Sequence, residues 1–301
     1  MLRMHRWPIT AALVVLLLLG FFWQRQHYTA SPVIKRRTKA TAVDLDTLAS
    51  DKVAVIIEGR PMVNFVAIVL HWRANLPLEW SVHMFVGPAL EPLLARTNKL
   101  DRYLRDGSIR LTRLPDSVSL VTPTGYSELL CTPWLWQQLT QEHVLLFQTD
   151  SIMCSNSARS PDAYLQYDYI GGPWPAYEWY PEGYFNGGLT MRKRSTMLAI
   201  TLANKWTPAA GAEDMWFSQR VLDLRPDVVI PTREIAAEFA GGPMVGRRPF
   251  AVHQPRNSGG YKSEEEMQVL LQWCPDALLA GWPGVPKFET VEVWPGGLTA
   301  P

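Results

Sequence analysis

Apolar residues fall in short continuous runs through the middle of the chain, and the spacing between runs sets the reading. "KVAVIIE" (52–58) is an unbroken β-branched run, which predicts a strand covered on both faces. "PMVNFVAIVLHWRANLP" follows with apolar residues at helical spacing and predicts a helix stopped before Pro77. "WSVHMFVG" predicts a second strand with a helical stretch behind it to Arg105. "SIRLTRL" predicts a third, followed by a helical segment through Gln138 that Pro133 interrupts, and "HVLLFQ" predicts a fourth. Strand and helix in this alternation specify an α/β domain: a mostly parallel sheet flanked by helices, with right-handed crossovers. After Asp150 the rhythm gives way to loop-rich aromatic sequence, a helix beginning near Ala212 and an irregular Pro/Gly-rich tail. No Gly-x-Gly-x-x-Gly follows the first strand, which argues against a nicotinamide dehydrogenase.

The N-terminus has a different pattern. In "MLRMHRWPITAALVVLLLLGFFWQRQ", Arg3 and Arg6 precede an uncharged run from Trp7 to Trp23. The run is shorter than the roughly 20 residues that span a typical bilayer, so it reads as a cleaved signal peptide or a short anchor. Tyr28 spoils the small-x-small site ending at Ala30, and tryptophans bracket the run, which favours an uncleaved anchor. The layout expected is a cytoplasmic tail and signal anchor over 1–23, a basic stem over 24–50, and a single globular domain over 51–301. That makes a single-pass type II membrane protein with its body in the Golgi or another part of the secretory lumen. Arg25 and the cluster Lys35, Arg36, Arg37 and Lys39 lie beyond the run and weaken the charge argument for that orientation. A net charge of +1 over 301 residues argues against a nucleic-acid partner, which would need a basic face. Three cysteines permit at most one disulfide, and the chain has no Asn-x-Ser/Thr sequon.

Four clusters carry candidate chemistry. Gln148 and Asp150 close the fourth strand on one side of the extended chain, where open α/β sheets gather ligands; Asp150 also suits a turn or cap. "YFNGGLTMR" places Asn186, Gly187 and Gly188 at the start of a strand, as close backbone approach or a bulge requires. "GAEDMWFSQRV" places Glu213 and Asp214 in the first turn of a helix, where the dipole favours acids whether they cap or catalyse. "FAVHQPRN" ends a short apolar strand in His253.

In that order these parts resemble GT-A glycosyltransferases, a Rossmann-like α/β fold. "FQTDSIMC", "YDYIGGPW", "FNGGLTMRKRS" and "EDMWFS" resemble more particularly a fungal family of uncharacterised proteins with a GT-A-like domain, over roughly residues 52–256. The resemblance implies a nucleotide-sugar donor, a glycan, glycoprotein or glycolipid acceptor, and a divalent cation, Mn²⁺ or Mg²⁺. Asp150 matches the last acid of the metal-binding Asp-x-Asp motif, Gln148 stands where its first acid would be, and His253 resembles a late metal-binding histidine. The Glu213–Asp214 pair resembles the acidic motif of inverting members, with Asp214 as base and Glu213 binding the acceptor. Glu58 and Arg60 fall where nucleotide base and ribose would lie. Trp174 and Trp216 are expected as sugar platforms beside Asn186–Gly188. Two other readings stand beside this one: a GT-A-like protein that binds glycan or sugar nucleotide without transfer, which Gln148 favours, and a lumenal metal-dependent hydrolase.

Overall fold

The computed structural model describes residues 50–120, 122–174, 182–241, 248–255 and 263–280. The anchor expected over 1–23, the stem apart from Ser50, and the tail beyond residue 280 lie outside the described residues. Among those described, no helix is long and apolar enough to cross a membrane.

The first half keeps the alternation read from the pattern. β1 (Lys52–Glu58) leads to α1 (Phe65–Asn75), β2 (Ser81–Val86), the short helices α2 (Glu91–Ala95) and α3 (Asp101–Arg105), and β3 (Ile109–Arg113). Then come α4 (Pro123–Leu130), α5 (Pro133–Gln137) and β4 (His143–Phe147). The stretch expected as one helix to Arg105 is broken into pieces, with Pro88 opening a preceding turn and Pro92 inside the first turn of α2. Pro133 does more than interrupt: it starts a new helix, because its fixed φ and missing N–H suit a first turn. The second half holds β5 (Ser151–Met153), β6 (Tyr169–Pro173), β7 (Phe185–Lys193), α6 (Arg194–Ala203), α7 (Glu213–Asp223) and α8 (Arg233–Phe239). β8 (Ala240–Gly241), β9 (Ala251–His253) and α9 (Glu264–Trp273) follow.

Six strands form the main sheet in the order β3-β2-β1-β4-β7-β6. β1, β2, β3 and β4 are parallel, and β7 runs antiparallel to both β4 and β6, so one strand of six opposes the rest. The chain moves outward from β1 to β3, then returns to place β4 on the other side of β1. That reversal leaves a crevice beyond the carboxyl ends of β1 and β4, the place where such sheets bind ligands. Because β7 is antiparallel and pairs Leu189 with Phe147, its first residues reach past the end of β4 into the same crevice.

A second, three-stranded sheet, β5-β9-β8, covers the crevice from one side. The core beneath is aromatic: Trp72, Trp80 and Trp136 are fully buried, and Trp72 stacks on Phe147 at 4.5 Å. Each buried ring of that size contributes roughly 3 kcal/mol through loss of apolar surface to water. Cys154, directly after β5, forms a disulfide with Cys274 at the end of α9. Cys131 is the third cysteine, buried and free, and burial pushes its thiol far above the ordinary range.

Candidate functional site

Strand ends and one helix start meet in a cleft of about 370 Å³ at the β1/β4 crevice. Glu58, Arg60, Gln148, Asp150, Asn186, Gly187, Gly188, Glu213, Asp214 and His253 all border it. Residues from five separate stretches of sequence therefore share one wall. Two larger cavities, each about 550 Å³, lie along α4 and beyond it, away from the strand ends.

Asp150 and His253 are brought together by the small sheet. β5 and β9 pair antiparallel with Ser151 opposite His253, which sets the preceding acid beside the imidazole at 3.4 Å, Oδ1 to Nε2. Gln254, unassigned in the sequence reading, completes the arrangement. Its N–H donates to the Asp150 carbonyl and its side-chain amide to Oδ2, both at 2.9 Å. Gln254 does this from a backbone φ of 42°, a conformation costly for a side-chain-bearing residue and often found at binding sites. Burial alone would raise the Asp150 carboxyl, but the facing His253 ring and the Gln254 amide hold it below the ordinary range. Neither Asp150 Oδ1 nor His253 Nε2 has an aligned hydrogen bond among the described residues.

Those two atoms fit a divalent cation in chemistry: a carboxylate oxygen and an imidazole nitrogen, both buried and facing each other. They do not complete a shell. Among the described residues no group of three or more His, Cys, Asp and Glu side chains stands together to hold a metal. Any ion here would take its remaining ligands from amide or carbonyl oxygens, water or the oxygens of a bound anion.

The two glycines of β7 make room for protein side chains. A Cβ at Gly188 would lie 2.1 Å from His253 Nε2, and one at Gly187 would lie 1.9 Å from Glu213 Oε1. The close approach expected at this motif is to the imidazole and the carboxylate that border the cleft. The Gly188 carbonyl also accepts the Gln148 N–H at 3.0 Å, and the Gly188 N–H donates to Asn186 Oδ1 at the same distance.

Glu213 and Asp214 open α7, and the residue before them, Ala212, supplies no side-chain cap. Asp214 takes that place: Oδ1 accepts the Met215 N–H at 2.8 Å and Oδ2 the Gly187 N–H at 3.1 Å. Glu213 is held differently. Its N–H donates to Ser127 Oγ, and its Oε2 accepts from Arg192 Nη2 at 2.9 Å. Its Oε1 has no hydrogen bond among the described residues. Burial pushes the Glu213 carboxyl up to about 7, with Arg192 working against that rise and Asp214 adding to it. Arg192, on β7, is 0% exposed, donates from Nε to Thr190, and lies 4.9 Å from the rings of both Tyr169 and Phe217. Sequence reading missed it, since one cation in "MRKRS" looks like the others.

At the end of β1, Glu58 is occupied by its own neighbours. Oε1 accepts the N–H groups of Gly59 and Arg60 and the Arg60 Nε, and Oε2 accepts Arg60 Nη2 at 2.9 Å. Glu58 thus fixes the Arg60 guanidinium, whose side chain is 57% exposed at the cleft rim. Of the two expected platforms, Trp216 is corrected: it is 5% exposed and packs edge-on against Phe217, so it presents no face to a sugar. The helical spacing turns it toward the core. Trp174 stands at the end of β6, outside the lining of the cleft, beside residues 175–181, which lie outside those described.

Residues 108–253, from the start of β3 to the end of β9, match the profile of a family described as protein of unknown function (DUF5672). The match takes in Gln148, Asp150, Asn186–Gly188, Glu213, Asp214 and His253, and leaves Glu58 and Arg60 outside. No curated protein sequence matches the chain. Among solved structures, the apo form of the glycosyltransferase GlyE of Streptococcus pneumoniae TIGR4 is similar at a TM-score of 0.40 and 10% identity. The superposition covers 77% of this chain and 62% of that one, so this chain spans less than two thirds of that protein's length.

Proposed function

We propose that the protein is a glycosyltransferase that moves a sugar from a nucleotide diphosphate to an acceptor hydroxyl with inversion. One observation carries the reading: at the strand-order reversal, a single cleft holds a carboxylate–imidazole pair at one side and a buried helix-start carboxylate at the other. The separation of roles is what such a transfer needs, with a leaving diphosphate at the first and an acceptor proton at the second. Glu213 Oε1 takes the proton from the acceptor hydroxyl as its oxygen bonds to the anomeric carbon. The bond from that carbon to the phosphate oxygen breaks, and the diphosphate leaves with the electron pair. The base is thereby placed on Glu213 rather than Asp214, whose oxygens are both engaged by backbone N–H groups. Arg60, fixed by Glu58, offers guanidinium N–H groups to phosphate. Asp150 and His253 would hold Mn²⁺ or Mg²⁺, which when bound supplies positive charge against the diphosphate. A secretory, type II placement belongs to the same proposal, and the Cys154–Cys274 disulfide supports an oxidising compartment.

The test is a titration of the full-length chain with UDP- and GDP-sugars, with and without Mn²⁺, scored for binding and for hydrolysis or transfer. Asp150→Asn is expected to abolish the Mn²⁺ dependence of nucleotide binding, and Gln148→Asp to strengthen it by restoring a charged ligand. Nucleotide affinity unaltered by EDTA would remove the metal from the scheme. Gln148 favours one other reading, a binding protein without transfer, which the outcome at Glu213 decides.

A further prediction follows from the fit at β7. In Gly188→Ala the new methyl meets the far end of the His253 side chain rather than backbone, so the ring gives way and the strand does not. The expected result is a nearly unchanged thermal midpoint with Mn²⁺ affinity lowered about 10–100-fold, measured by calorimetry, as when a supporting contact of a metal ligand is lost. A Gly188→Ala chain that binds Mn²⁺ like the wild type would show that His253 is not a ligand.

A further inference from the structure

The cleft does not end at Glu213. A cavity of about 550 Å³ adjoins it, bordered by Ser117, Ser119, Thr122, Thr124, Glu128 and Trp134, and Thr122 lines both spaces. A third cavity, again about 550 Å³, is bordered by Thr132, Asn204, Lys205, Trp206 and Thr207. Glu128 and Thr132 line the second and the third alike. The three are therefore in series: a trough that leaves the cleft at the N-terminus of α4, follows that helix to its turn into α5, and continues to the segment after α6. That last segment runs on through Gly211 into Glu213, and Ser127 of α4 accepts the Glu213 N–H, so both ends of the trough are tied to the proposed base.

The lining states what fits. Hydroxyl side chains are interspersed with apolar ones, and the one acid, Glu128, is matched by one base, Lys205. Trp134 is half-buried and braced by an edge contact with Phe85 at 6.2 Å, which gives the wall a fixed aromatic element. Each cavity exceeds the roughly 300 Å³ at which small-molecule sites begin, so a single sugar would leave most of the trough unfilled. A peptide is a poorer match: the floor is helix, whose backbone groups are bonded internally and give an extended peptide no ladder to pair with.

We propose that this trough holds a neutral oligosaccharide of several units, with its terminal hydroxyl at Glu213; as an acceptor site it rests on the transfer reading above. The test uses the full-length chain in a non-glycosidic detergent, with calorimetric titration of mannose, glucose, N-acetylglucosamine, mannohexaose, cellohexaose, chitohexaose and a Ser/Thr-rich peptide. At least one hexasaccharide is expected to bind about 10-fold or more tightly than its monosaccharide. Thr124→Trp and Thr207→Trp, exposed positions in the second and third cavities, are expected to remove that advantage without moving the thermal midpoint or nucleotide-sugar affinity. Affinity independent of chain length, hexasaccharide binding untouched by both variants, or preference for the peptide would each overturn the proposal. UDP- and GDP-sugars titrated in parallel separate the two claims. Length-dependent binding without donor binding leaves the trough and sinks the transferase, and donor binding without length dependence sinks the trough alone.

Discussion

Glu213→Gln is expected to lower sugar transfer by on the order of 10²–10⁴ while sparing nucleotide-sugar binding, because a general base acts only in the chemical step. The substitution keeps side-chain size and leaves Oε able to accept from Arg192, so it changes proton affinity with little change in packing. Asp214→Asn is expected to cost far less in rate. Its carboxylate is spent on the N–H groups of Met215 and Gly187, and loss of such a helix-start acceptor costs about 1 kcal/mol of stability. The pH profile gives an independent reading. The base works as carboxylate, and burial has pushed Glu213 up to about 7, so the rate is expected to fall as pH drops through about 7. In the Gln variant that acid limb disappears. A Glu213→Gln chain that transfers sugar at the wild-type rate would leave no base at this position. If Asp214→Asn were equally active, neither acid would be the base and the inverting scheme would fall.

Residues were more legible in the sequence than their arrangement. β1, β2 and β4 announce themselves because short, mostly apolar runs carry a local signal. The small sheet does not: β5 has three residues and pairs β9 only because Ser151 finds His253 about a hundred residues away, and β8 has two, paired to the same β9. Asp150 and His253 could be picked out by type, but only that pairing says they face each other. The acidic pair at 213–214 was equally visible, yet which carboxylate is engaged depends on where the β7 N–H groups fall. Gln254 and Arg192 were beyond reach. Nothing local distinguishes Arg192 from Lys193 or Arg194, and only the fold decides which of the three is enclosed between Tyr169 and Phe217. Trp216 shows the reverse error: an aromatic beside an acidic motif suggested a platform, and helix phase turned it inward.

Arg192→Met is expected to destabilise the fold by about 3–5 kcal/mol near neutral pH, the usual cost of leaving one member of a buried ion pair without its partner. Methionine matches the length of the aliphatic stem and fits between two rings, so the loss comes from the abandoned Glu213 carboxylate rather than from a void. pH dependence tests that assignment. Arg192 lowers the Glu213 carboxyl, so without it the folded-state pKa moves above its present value of about 7, farther from the ordinary 4.5. A group whose folded pKa is raised contributes most below its unfolded value and loses that contribution as pH rises through the folded one. The deficit of Arg192→Met is therefore smallest near pH 4.5 and grows through neutrality. Urea denaturation at about pH 5 and about pH 8 reads the difference directly. Arg192→Met/Glu213→Gln, with the charge gone, is expected to recover more than half of the loss at pH 8 and to remain without turnover. Equal instability at both pH values, or a double variant no better than the single one, would mean that Arg192 supports the sheet by packing and not by holding the charge of Glu213.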